Sequence, residues 1–152
     1  MTSRVVFDCM VFLQGAGRRL GPAGACLQLV DDGKVLLCVS TVILTEVRDV
    51  LTRPETLERF PGLSAEWVDS FVNGLESKGL AFRDIAPVVK VPRDPRDEPY
   101  ANLAVAAGAA YLVTRDHDLL DLMHDEGFRQ QYPELRILEP VEFLREMAAR
   151  SK

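Results

Sequence analysis

Five carboxylates, far apart in the chain, stand where apolar strand-like runs end or helices begin. Asp8 follows Val5-Val6-Phe7, Glu46 lies in a helical stretch after Val35-Leu36-Leu37-Cys38-Val39, Asp94 and Asp97 share Arg93-Asp94-Pro95-Arg96-Asp97, and Asp116 follows Tyr111-Leu112-Val113-Thr114. In an open α/β sheet the carboxyl ends of the strands share one rim, and ligands bind in the crevice there. Acids gathered on that rim repel one another and titrate abnormally unless a cation lies between them. The implied cation is a hard divalent one, Mg²⁺ or Mn²⁺, which takes carboxylate oxygens. Such ions activate water and stabilise the charge that develops when a phosphodiester is attacked.

The elements that must position these acids fit in one domain. A chain of 152 residues with 47% hydrophobic composition is long enough for one core and short for two, so a single domain over residues 1–152 is expected. The first residues run directly into a strand pattern without the parts of a signal peptide. No apolar run approaches the roughly 20 residues of a membrane helix, so the expectation is a cytoplasmic protein with no membrane partner. Cys9, Cys26 and Cys38, odd in number and flanked by apolar residues, read as reduced, buried thiols. With His117 and His124 the only histidines and no CxxC pair, a tetrahedral zinc site is not expected. The net charge of −5 does not exclude a nucleic acid, because four of the negative charges would belong to metal ligands and bound cations reverse the local sign.

Strand-length apolar runs alternate with helical patterns, which favours βαβ units and a parallel sheet. The expected order is a strand from Arg4 to Asp8, a loop from Gln14 to Gly21, a helix opened by Pro22, and a strand from Val35 to Val39. Ser40 then caps a helix reaching about Thr52, with Glu46 at the edge of its apolar face. A short helix ends near Phe60, and Ser64 caps another that runs to Lys78, with core-facing Trp67 and Phe71. A third strand, Leu80 to Ile85, precedes a Pro-containing loop from Pro87 to Pro99. A small-residue helix from Tyr100 to Ala107, a strand at Tyr111 to Val113, a helix from Asp118 to His124, a strand at Arg136 to Leu138 and a helix opened by Pro140 complete the chain.

Four pieces, in order, resemble the PIN domains and, within them, bacterial toxin-like proteins related to the ribonuclease toxins of toxin–antitoxin pairs. They are Val5-Val6-Phe7-Asp8, Ser40-Thr41-Val42-Ile43-Leu44-Thr45-Glu46 with Val50-Leu51-Thr52-Arg53-Pro54, Arg93-Asp94-Pro95-Arg96-Asp97-Glu98, and Tyr111-Leu112-Val113-Thr114-Arg115-Asp116-His117-Asp118-Leu119-Leu120. The resemblance implies a three-layer α/β/α sandwich around a mostly parallel sheet of about five strands. It implies that Asp8, Glu46, Asp97 and Asp116 are the catalytic acids and hold Mg²⁺ or Mn²⁺. Asp97 has the family's spacing before the small-residue helix, leaving Asp94 as a neighbour or outer ligand. Ser40 and Thr114 would be hydroxyls that hold a carboxylate or a metal-bound water. The implied activity is endoribonuclease action on RNA; the resemblance admits a small antitoxin protein in the acidic groove and implies a homodimer. One departure is Cys9-Met10, where the family usually has a small polar residue and often Asn. It favours a rival reading, a catalytically weak PIN-like module that binds RNA or protein.

Several residues read both ways. Asp118 either ligates metal or caps the following helix. Arg18, Arg19, Arg93, Arg96 and Arg115 either grip phosphates or are solvated surface charges. Each acid alone is also a plausible turn or cap residue, and Glu46 a partner for Arg48 or Arg53. Gly15-Ala16-Gly17 lacks the GK[ST] ending of a P-loop. A receiver or haloacid-phosphatase reading needs a nucleophilic Asp with a partner Lys, and the haloacid type an Asp where this chain has Met10.

Overall fold

Short, continuously apolar runs become strands buried on both faces, the pattern of a parallel sheet covered by helices. In the computed structural model, which describes residues 2–151, the strands are β1 (Ser3–Phe7), β2 (Val35–Ser40), β3 (Leu80–Phe82), β4 (Tyr111–Val113) and β5 (Arg136–Leu138). All pairings are parallel, in the order β3-β2-β1-β4-β5. The chain moves outward from β1 to β3, then crosses back to β4 on the other side of β1. The order therefore reverses between β1 and β4, where open α/β sheets form their crevice.

The helices are α1 (Cys9–Gly17), α2 (Pro22–Asp31), α3 (Thr41–Leu51), α4 (Pro54–Arg59), α5 (Ala65–Lys78), α6 (Glu98–Ala106), α7 (His117–Leu120), α8 (Glu126–Gln131) and α9 (Pro140–Arg150). α6 packs on β1, β2 and β4, while α2 and α5 pack on β2, and α9 on β4 and α2. The result is the expected sandwich. Phe143 of α9 is fully buried and meets Phe7 and Tyr111 edge-on, with centroids 6.1 Å and 5.2 Å away. The last helix is thereby tied to the two strands that flank the crevice. All three cysteines are free and buried.

The sequence expectation departs from the structure at four places. The supposed loop from Gln14 to Gly21 is helical as far as Gly17, so only Arg18 to Gly21 turn. Its glycines permit close helix packing: a Cβ on Gly15 would lie 2.6 Å from Leu27 Cδ1, and one on Gly24 of α2 only 2.1 Å from the Arg19 carbonyl oxygen. The third strand stops at Phe82 rather than Ile85, and Asp84 turns into the left-handed region at φ 53°, which breaks extended pairing. Helix α8 was not expected; Asp125 caps it, accepting the Phe128 N–H at 3.1 Å. The helix expected over Asp118 to His124 is α7 followed by a 3-10 turn, Asp121–His124.

The segment between β3 and α6 has no regular structure up to a 3-10 turn at Pro95–Asp97. Two side chains of α6, one helical turn apart, strap it down. The Asn102 carboxamide oxygen accepts the Val89 N–H at 2.7 Å and its amide donates to the Val89 carbonyl, while Glu98 accepts the Val91 N–H at 2.8 Å. That strap fixes the approach of the chain to Asp94 and Asp97.

Candidate metal centre

Asp8 ends β1 and begins α1. Its Oδ1 accepts the Val11 N–H at 3.0 Å, capping the helix, and its Oδ2 accepts the Thr114 hydroxyl. Thr114, fully buried just past β4, in turn accepts the Asp116 N–H at 2.9 Å. One hydroxyl therefore couples the acids on both sides of the crevice. Asp116 caps α7, its Oδ1 accepting the Asp118 N–H at 2.8 Å. Asp94 caps the 3-10 turn through the Arg96 N–H and forks with the Arg96 guanidinium at 3.1 Å and 3.4 Å. Glu46, on α3, accepts the hydroxyl of buried Tyr100.

Asp97 differs from the others. Its Oδ2 is buried and has no hydrogen-bond partner among the described residues. One oxygen from each of Asp94, Asp97 and Asp116 lies within 4.8 Å of the others. Burial, then a proton shared with the Asp116 carboxyl, and then the charges of Asp116, Asp94 and Asp8 push the Asp97 carboxyl up to about 8. Burial likewise raises Asp8 to about 6, against the hydrogen bonds from Thr114 and Val11 that favour its charge. Arg96 holds Asp94 below the ordinary carboxylate range.

Asp8, Glu46, Asp94, Asp97 and Asp116 line one cleft of about 480 Å³ at the strand ends. Of the arginines weighed from the sequence, Arg96 and Arg115 line it. Arg19 instead lies 3.5 Å from Asp31, and Arg93 lies 4.0 Å from Asp118 and 3.7 Å from Asp121. Arg18 is exposed on the turn after α1 and lies outside the cleft lining. Asp118 neither caps a helix, since Asp116 does, nor lines the cleft. The Ser40 hydroxyl caps α3 by accepting the Ile43 N–H at 3.3 Å and lines a different hollow. Glu46 pairs with neither Arg48 nor Arg53; these hold Asp69 at 3.2 Å and Asp49 at 2.9 Å.

Sequence reasoning missed Tyr100, Gln14 and Arg53 as cleft walls. Tyr100 lies three residues after Asp97 on α6 and so shares its side of the helix, a signal that was available; nothing in the sequence links it to Glu46. Cys9 and Met10 also line the cleft. The Cys9 thiol is pushed up to about 12 by burial and then by Glu46 and Asp8, so it is a packing group and not a nucleophile.

An all-oxygen donor set suits a hard divalent cation. An unpartnered buried carboxylate oxygen close to two other acids calls for an explanation, and a bound cation is one that fits this donor set. The chain is therefore, by fold and site, a parallel α/β protein with a carboxylate cluster at its topological switch point. A family model described as a PIN domain matches residues 4–118, and the chain belongs to that family. PIN domains are typically nucleases and generally use divalent metals, which places this protein among the hydrolases in general terms. No curated protein of similar sequence was found. Among the described residues no helix is long and apolar enough to cross a membrane.

Proposed function

We propose that the chain is a Mg²⁺- or Mn²⁺-dependent endoribonuclease acting on single-stranded or structured RNA and leaving a 5′-phosphate. The observation that carries this reading is the unpartnered buried oxygen of Asp97 beside Asp94 and Asp116. Asp97 and Asp116 would hold the cation, with Asp94 completing the trio and Asp8 and Glu46 reaching the same cleft. When bound, the ion supplies a Lewis acid for the phosphoryl oxygens and lowers the pKa of a water. Thr114 keeps Asp8 and the Asp116 backbone in register, and Tyr100 orients Glu46. Arg53, Arg96 and Arg115 line the cleft and can fork onto phosphate oxygens. The resemblance to toxin-like PIN proteins makes a small antitoxin protein and a second copy of the chain the partners to test.

The test is cleavage of an end-labelled mixed-sequence RNA with Mn²⁺, with EDTA, and by Asp97→Asn. Metal-dependent cleavage lost in the variant is expected. Equal cleavage by both proteins would mean a contaminating nuclease and would remove the support for this reading. A second reading, a weak or inactive binding module, draws on Cys9 and on Met10, which is 46% exposed at the cleft. It predicts RNA retained without turnover in the same assay.

A further inference from the structure

Beside the acid cleft, and larger than it, lies a hollow of about 660 Å³ that the chemistry above does not use. Its walls are largely apolar: Val42, Phe82, Ile85, Pro95 and Pro99. The 3-10 turn Pro95–Asp97 divides the two sites, with Pro95 on this side and Asp94, Arg96 and Asp97 on the other. They also share two helices. On α3, Val42 faces the hollow and Glu46, four residues on, faces the acids; on α6, Glu98 and Asn102 face the hollow while Tyr100 faces the acids. Four residues along a helix advance about 6 Å, so the hollow begins about one helical turn from the carboxylates.

We propose that this hollow is a subsite for the nucleobase of a nucleotide adjoining the phosphate held at the acids; the proposal rests on the nuclease reading for the position of that phosphate. An unstacked single strand can splay a base into such a slot while its backbone continues across the rim. The lining chemistry favours a base over a phosphate or a charged peptide. Only Arg83 is cationic, against Asp84 and Glu98, so a phosphate meets no net positive field. One Glu98 oxygen and the Asn102 amide are held by Val91 and Val89, and exposed Thr41, Arg83 and Asp84 stand at the hollow to meet base edges. Phe82, half-buried in the wall, puts an aromatic ring in the lining, and base–aromatic contact tolerates any base. Val42, 64% exposed, is an apolar side chain left at the mouth.

Val42→Trp would fill the hollow from an exposed helix position without touching the core, and Val42→Glu would add a charge there. The probe is a fluorescein-labelled octaribonucleotide of mixed sequence, compared with an abasic strand of equal length, titrated by anisotropy at constant salt. Loss of one base contact predicts about a tenfold weaker affinity in both variants. It also predicts a similar gap between the RNA and the abasic strand with the unaltered protein, and little gap with Val42→Trp. Equal affinity of the variants and the unaltered protein for the octamer would overturn the subsite and point to a protein occupant. Mn²⁺-dependent cleavage is measured on the same preparations. RNA bound through the hollow but never cleaved sinks the nuclease reading alone, whereas cleavage with octamer affinity indifferent to Val42 sinks the subsite alone.

Discussion

Asp8→Asn should stabilise the metal-free protein, and only above the acid range. Asp8 is 6% exposed, and its carboxyl is raised from the usual 3.8 to about 6, chiefly by burial. Because the folded value lies above the unfolded one, ionised Asp8 opposes folding. Below about pH 4 the group is protonated in both states and nothing is lost. The penalty grows between the two values and is complete above about pH 6. At about 1.36 kcal/mol per unit of pKa, it reaches about 3 kcal/mol. Asparagine keeps the cap on α1, since it caps as well as aspartate does, and removes the charge. Urea unfolding in EDTA should therefore find the variant equal to the parent near pH 4 and about 2–3 kcal/mol more stable at pH 7.5. In a chain of this length that corresponds to a melting temperature higher by about 4–12 °C. Mn²⁺ should stabilise the parent protein and do so much less for the variant. A variant less stable than its parent at pH 7.5, or a difference that does not change with pH, would refute the reasoning.

Thr114→Val keeps shape but strands the Asp116 N–H and one Asp8 oxygen. A loss of about 1–3 kcal/mol in urea unfolding is expected, with Mn²⁺ affinity by calorimetry about 10 to 100-fold weaker; unchanged affinity would show that the hydroxyl does not position the acids. Gly24→Ala gains about 1 kcal/mol of helix propensity but places a carbon against the Arg19 carbonyl. A net loss of about 1–3 kcal/mol should appear in urea unfolding, and a stabilised variant would refute the packing role given to the glycine.

What was legible in the sequence followed the physics of repetition. Val5-Val6-Phe7, Leu37-Cys38-Val39 and Tyr111-Leu112-Val113 are apolar on successive residues because the sheet is covered on both faces, and their strands were located to within a residue or two. Ser40 and Ser64 announced their helices because a cap is a local hydrogen bond, accepted here from Ile43 and Trp67. Gly15 and Gly17 misled, because a glycine that permits close helix contact looks the same in sequence as one that permits a turn. Arg93 and Arg19 could not be separated from Arg96 and Arg115 by pattern, since only tertiary placement decides that the first two meet Asp118 and Asp31.

Three of the acids were ambiguous in sequence because a residue that caps a helix or turn can also line a cleft. Asp8, Asp94 and Asp116 are all N-caps, as the ordinary reading of such residues would have it. Capping takes only part of a carboxylate: Asp116 gives Oδ1 to the Asp118 N–H, Asp94 gives Oδ1 to the Arg96 N–H and Oδ2 to the Arg96 guanidinium, and both residues line the common cleft. The backbone N–H groups at these starts of helix and turn also carry partial positive charge, which lets carboxylates approach before any cation is present. Caps thus set where these acids stand, and the fold brings the three starts to one cleft at the strand ends. Of the four aspartates, Asp97 alone spends no oxygen on a cap. Its Oδ2, buried and without a hydrogen-bond partner among the described residues, is the remainder of that arrangement, and a cation that displaced the proton from this carboxyl would be its natural partner.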